Sequence, residues 1–178
     1  MLYRVFSWDS VSTPDPLAVR RDLQGTGRHD NPDIYGAVYL ARDAIAAVAE
    51  RIQGFRGMSL GPADLTRPNG RRLSLASLDD SSLAELIDLD EPLTLVHLRR
   101  RPSEVATGDR QVTQALARGL FANGGTGLVW WSTLEASWIN VTLFDVRLAN
   151  APTVVDVCPL TLSDESVRAA AERLGIRV

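Results

Sequence analysis

A chain of 178 residues, 45% hydrophobic and 23% charged, is long enough for one domain with a substantial core, without disulfide or metal staples. Its net charge of -3 leaves no footprint for nucleic acid or for an anionic membrane surface. Cys158 is the only cysteine, so an intramolecular disulfide and a Cys-rich zinc site are both excluded, and arginine supplies every side-chain cation because lysine is absent. No charged-then-apolar leader and no apolar run near 18 residues is present, so the expected location is cytoplasmic, with no membrane span.

The chain opens on Leu2-Tyr-Arg-Val-Phe-Ser-Trp8, a loosely alternating strand with Arg4 on it, where an exposed strand face is favoured over a site role for the arginine. Turn chemistry follows from Asp9 to Pro16, and Leu17–Gln24 reads as a short helix or a connection. Gly25 to Asp33 is a loop carrying Arg28 and His29: Gly25 and Gly27 permit unusual backbone angles, and Pro32 bars helix and central strand. Arg28 is a planar, multi-donor cation suited to gripping phosphate oxygens.

Ala37–Ala41, with Tyr39 at its centre, reads as a short buried strand. Asp43 is a good N-cap for a helix whose apolar stripe is Ile45, Val48, Ala49 and Ile52. Glu50 lies off that stripe among alanines. Periodicity favours an exposed glutamate on an alanine-rich helix; the sharper alternative is a small-residue face lining a cleft with Glu50 projecting into it.

Farther on, Gly61–Arg72 is a loop, Leu73–Ala76 is strand-like, and Asp80–Leu86 reads as a short helix. Leu93–Leu98 alternates like a strand, which places His97 on a strand and makes Arg99–Arg101 a solvated strand end. One helix is expected over Ala106–Phe121, capped by Thr107 or Asp109. Asn123-Gly-Gly-Thr-Gly127 follows that helix and lacks the Lys-Ser/Thr of a P-loop, so a helix-to-strand turn is the better reading. Leu128–Trp131 and Trp138–Arg147 read as an antiparallel pair, with Ser132 where the first strand leaves the sheet, a place where side chains reach an adjoining cleft, although a serine satisfying the turn is the favoured reading. Thr153–Cys158 is the expected last strand, and Ser163-Asp-Glu opens a helix that Gly175 closes.

These elements predict a single α+β domain over residues 1–178: a mixed, largely antiparallel sheet with flanking helices around a central cleft. No Gly-x-Gly-x-x-Gly opens a helix, no Gly-x-Ser-x-Gly elbow or HExxH helix occurs, and the two histidines, His29 and His97, lack metal-ligand spacing. Elimination leaves Arg28, Tyr39, Glu50 and Ser132 as the richest constellation, with Arg4 and His29 as additions.

In order, Gly-Thr-Gly-Arg28-His-Asp-Asn-Pro, Tyr-Gly-x-x-Tyr39-Leu-Ala and Ala-Ala-x-Ala-Glu50 resemble the RES-domain family, named for its Arg, Glu and Ser. Gly127-Leu-Val-Trp-Trp-Ser132 continues the resemblance where the family places its serine, although the usual basic residues after that serine are missing. The resemblance implies a fold related to ADP-ribosyltransferases and the toxin of a toxin–antitoxin pair that degrades NAD+, with a helix-turn-helix antitoxin as partner. It further implies cleavage of the nicotinamide–ribose bond, with water or inorganic phosphate as acceptor and no cofactor beyond NAD+ as substrate. Arg28 would grip the pyrophosphate, Tyr39 stack on nicotinamide or ribose, Glu50 stabilise the transition state, Ser132 hydrogen-bond the ribose or amide, and His29 help orient a phosphate. Two rival readings use the same residues: transfer of ADP-ribose to a macromolecule, and a catalytically silent binding module.

Overall fold

The computed structural model describes all of Met1–Val178. In chain order its elements are β1 (Leu2–Trp8), β2 (Ala37–Ala41), α1 (Ala44–Ile52), β3 (Arg72–Asp79), β4 (Ile87–Asp88), α2 (Pro92–Leu98), α3 (Pro102–Ala106), α4 (Arg110–Ala122), β5 (Gly127–Trp131), β6 (Ile139–Phe144), β7 (Thr153–Pro159) and α5 (Glu165–Leu174). Short 3-10 turns include Arg21–Leu23. The class is α+β, as expected: seven strands run in the order β4-β5-β6-β2-β1-β3-β7, with β4–β5 parallel and the β1–β2, β1–β3, β3–β7 and β5–β6 pairs antiparallel. No helix is long and apolar enough to cross a membrane.

The chain divides into two compact units. The first comprises Met1–Pro16, Ala41–Ser81 and Pro152–Val178. Within it β1 pairs with β3 along its whole length, from Leu2↔Leu78 to Trp8↔Arg72, and β3 pairs in turn with β7. Helix α1 begins where Asp43 caps it, its Oδ1 accepting from Ile45 N–H at 2.7 Å and Ala46 N–H at 3.1 Å. It packs on α5 as well as β1, which explains its composition: Ala46, Ala47 and Ala49 are buried with Val48 and Ile52, while Ile45 is only half-buried. Burial from two sides needs a wider apolar surface than a single stripe, and alanine lets neighbouring backbones approach closely. The opposing helix buries Val167, Ala170, Ala171 and Leu174 and ends at Gly175 in the left-handed region, φ 66°.

The second unit, Leu17–Leu40 with Ser82–Ala151, has its own core of Tyr35, Leu89, Leu95, Val105, Leu116, Leu120, Leu128, Trp130 and Phe144. Tyr35, Phe121 and Phe144 form an aromatic cluster with ring centroids 4.3 to 5.4 Å apart.

Three sequence expectations need correction. Leu93–Leu98 is not a strand: Glu91 caps it through Leu93 N–H, Pro92 sits at the first helical position, and α2 results. Its alternating pattern therefore puts Leu95 inside and leaves Leu93 and Val96 outside, and Arg99 closes a helix, in the left-handed region, instead of a strand. Asp80–Leu86 forms no helix; Asp79 and Asp80 spend their carboxylates on Ser81, the terminal amine and Arg42, and the chain runs on into β4. The helix expected over Ala106–Phe121 is two: Pro102 starts α3, and Asp109 caps α4 by accepting from Gln111 N–H at 2.9 Å.

The Arg28 loop and the candidate active site

The Gly25–Asn31 loop of the second unit is held at nearly every peptide. Asp30 Oδ2 accepts from Gly25 N–H at 2.8 Å and Gly27 N–H at 2.7 Å. Gln114 Nε2 on α4 donates to the carbonyls of Gly25 (3.0 Å) and Gly27 (2.9 Å), and Thr113 Oγ1 donates to the Arg28 carbonyl at 2.5 Å. Tyr39 on β2 receives His29 N–H at 2.8 Å and donates its hydroxyl to Asp30 Oδ1 at 2.7 Å. Tyr35 and Asn31 donate to the His29 carbonyl. A loop satisfied this completely can be buried without leaving polar main chain unpaired.

Arg28 itself is buried, 7% exposed. Its Nη1 donates to the carbonyls of Val105 (3.0 Å) and Thr107 (2.7 Å) in the link between α3 and α4, and Nη2 reaches Thr133 Oγ1 at 3.4 Å. The guanidinium also lies 5.1 Å from the Trp130 ring centroid. These acceptors fix the orientation of the guanidinium.

His29 is fully buried. Nδ1 lies 2.9 Å from Thr142 Oγ1, which also accepts from Trp130 Nε1–H at 3.1 Å, and Trp130 meets the imidazole edge-on at 5.1 Å. Nε2 is buried with no partner. Burial, followed by the fields of Arg28 and Arg110, lowers the imidazole pKa from 6.5 to about 3, so the ring is neutral at physiological pH. Burial and the Asp30 carboxylate push the Tyr39 phenol far above its ordinary range, so it stays protonated.

Ser132 follows β5 in the same unit and is buried. Its Oγ accepts from Leu134 N–H at 3.1 Å, and its N–H donates to the Trp138 carbonyl at 2.7 Å, closing the turn into β6. Arg28, His29, Tyr39 and the Ser132–Thr133 turn thus belong to one unit. Glu50 belongs to the other, half-buried in the last turns of α1, where Gln53 Nε2 donates to its carboxylate at 3.1 Å and its carbonyl at 2.9 Å. Arg4, in that first unit, donates to the Pro16 carbonyl; burial lowers its pKa to about 10, still cationic at neutral pH. Asn123–Gly127 is the expected helix-to-strand turn, with Gly124 at φ 95° and the Phe121 and Gly125 carbonyls taken by Arg147. No group of three His, Cys, Asp or Glu side chains that could hold a metal occurs.

The residues that the sequence did not single out are Asp30, Thr113, Gln114, Trp130 and Thr133. An Asp three residues after a loop glycine is a recognisable acceptor of turn N–H groups. The other four reach the Arg28 loop or its guanidinium only through tertiary packing.

No curated protein matches the chain. Among solved structures, the crystal structure of the M. tuberculosis MbcT–MbcA toxin–antitoxin complex is similar, with a TM-score of 0.64 at 18% identity over 98% of this chain and 88% of that one. At that identity the likeness carries the fold alone. The RES domain model matches residues 1–165, and on that match the chain belongs to the RES-domain family.

Proposed function

We propose that this chain is the toxin of a toxin–antitoxin pair and that it destroys NAD+ in the cytoplasm by cleaving the nicotinamide–ribose bond. The observation that carries this reading is a buried Arg28 in a RES-domain chain, a guanidinium suited to a diphosphate and oriented by the Val105 and Thr107 carbonyls.

The chemistry suits the remaining residues. Breaking the glycosidic bond expels neutral nicotinamide and develops oxocarbenium character on the ribose, which a carboxylate stabilises; Glu50 has that role. Tyr39 contributes its ring, because its hydroxyl is engaged by His29 and Asp30 and stays protonated. Ser132 serves the ribose or amide as a hydrogen-bond donor. His29, neutral and buried, meets a phosphate only as a polar group without charge. Water or inorganic phosphate accepts the ribosyl carbon, and a helix-turn-helix antitoxin is the partner.

The test is NAD+ consumption by the purified protein with and without phosphate, with products identified by mass. Free ADP-ribose, or its phosphorylated form when phosphate is present, supports the reading. Label from NAD+ retained on a macromolecule identifies a transferase, and intact NAD+ after prolonged incubation without antitoxin identifies a binding module.

A further inference from the structure

Two peptides of the Arg28 segment, Thr26–Gly27 and Arg28–His29, converge on one carboxylate. Asp30 Oδ2 takes the N–H of Gly27, immediately before Arg28, at 2.7 Å. Its Oδ1 takes the Tyr39 hydroxyl at 2.7 Å, and that hydroxyl takes the N–H of His29, immediately after Arg28, at 2.8 Å. A simple turn would need only the glycine N–H groups. The link through Tyr39 reaches out to β2 and forms a donor chain, N–H to O–H to carboxylate, whose members polarise one another.

The arrangement is tight. Asp30 is 5% exposed, a burial that a carboxylate tolerates only when donors satisfy it. A Cβ at Gly27 would lie 2.6 and 2.7 Å from the Asp30 oxygens and 2.7 Å from the Tyr39 hydroxyl, so that position has room for hydrogen alone. The Arg28 side chain leaves this frame toward the Val105 and Thr107 carbonyls, and a tilt of either peptide moves its guanidinium.

We propose that Asp30 is a positioning residue for Arg28, fixing the Thr26–Gly27 peptide directly and the Arg28–His29 peptide through Tyr39, so that the guanidinium stands where the diphosphate of a dinucleotide binds. The identity of the ligand rests on the NAD+ reading above; the positioning itself does not.

A double-mutant cycle tests it, with ADP-ribose, which keeps the diphosphate and lacks nicotinamide, titrated calorimetrically into the parent, Asp30→Asn, Arg28→Ala and the double variant. Asn keeps the shape and loses acceptors, so Asp30→Asn is expected to weaken ADP-ribose binding roughly 10- to 100-fold. Arg28→Ala weakens it at least as much, and the double variant is no weaker than Arg28→Ala alone. A further loss of the same size on the Arg28→Ala background, or unchanged binding in Asp30→Asn, overturns the proposal. Should Asp30→Asn fail to fold, Tyr39→Phe severs the His29 side of the frame alone and runs through the same cycle with the same criteria. A folded parent that does not bind ADP-ribose sinks the dinucleotide reading, and amide hydrogen exchange then decides the positioning. Faster exchange confined to residues 25–29 in the Asp30 variant supports it, and unchanged exchange there overturns it.

Discussion

The loop that carries Arg28 is fixed peptide by peptide through side chains from distant parts of its unit, whereas Glu50 takes its position from a regular helix. Thr113 and Gln114 from α4, Tyr39 from β2 and Asp30 from the loop itself hold residues 25–29. Around Glu50 the support includes the hydrogen-bonded turn of α1, a local contact with Gln53, and the burial of the alanines beside it. A charged group can thus be set by many specific bonds or by one well-packed element. The two devices fail differently: a loop loses position when one bond is removed, and a helix loses it only when the whole turn frays.

The largest expected effects separate charge from support. On the proposed reading, Glu50→Gln keeps the shape and removes the carboxylate, so NAD+ turnover should fall about 100- to 1,000-fold. Arg28→Ala should cost a comparable factor in turnover and, in addition, about 1–3 kcal/mol of stability, because it strands the buried Val105 carbonyl and leaves the part-buried Thr107 carbonyl without this donor. Turnover assays beside urea unfolding read both quantities. Parent-level turnover in either folded variant would remove that residue from the proposed reaction.

Glycine substitutions sharpen the contrast at the next scale. Gly27→Ala forces a methyl against Asp30 and Tyr39, side-chain ends that their own bonds hold in place, and should destabilise by roughly 1–3 kcal/mol. Gly54, just beyond α1, has nothing within 4 Å of an added Cβ. Gly54→Ala should therefore be neutral, or stabilising by about 0.4–1 kcal/mol through the unfolded chain. Thermal or urea denaturation of the two variants side by side is sufficient, and a destabilising Gly54→Ala would contradict the open surroundings of that position.

What could be read from the sequence follows the same division. Periodicity and caps located α1, β5, β6 and α5, because those signals are local: Asp43, Gly175 and the alternation of apolar residues act within a few positions of where they stand. Leu93–Leu98 misled because alternation over six residues fits a strand as well as a helix with one side exposed, and the Glu91–Pro92 start signal decides between them. Ala46 and Ala47 of α1, off the apolar stripe, were legible as small but not as buried, since α1 packs on two partners, β1 and α5, that are distant in sequence. For the candidate site, Arg28 and Tyr39 were nameable from chemistry and motif order, while Asp30's second task, receiving Tyr39, depends on a strand register that no local pattern encodes.

Titration offers a smaller test of how the Arg28 loop is buried. The folded protein holds His29 at about pH 3, whereas an unfolded chain takes up a proton near the ordinary value of 6.5. Between those values the unfolded state binds the extra proton, so stability falls as pH drops, by at most about 1.4 kcal/mol per pH unit from this group. His29→Gln removes the titration, and its unfolding free energy should decline less than the parent's between pH 6.5 and 5, before carboxylates dominate. Parallel slopes for the two proteins would mean that His29 is solvated in the native state.

The smallest effect concerns the helix alone. Asp43→Ala removes the cap that Ile45 and Ala46 N–H groups share, and should cost about 1 kcal/mol, with Asp43→Asn costing a few tenths. Glu50 lies seven residues farther along, beyond the turn that frays first, in a helix that packing on α5 and β1 secures. NAD+ turnover at saturating substrate should therefore match the parent's in Asp43→Ala despite the lost stability. A tenfold fall in turnover, at a temperature where the variant is fully folded, would show that Glu50 depends on its capped first turn as closely as Arg28 depends on its loop.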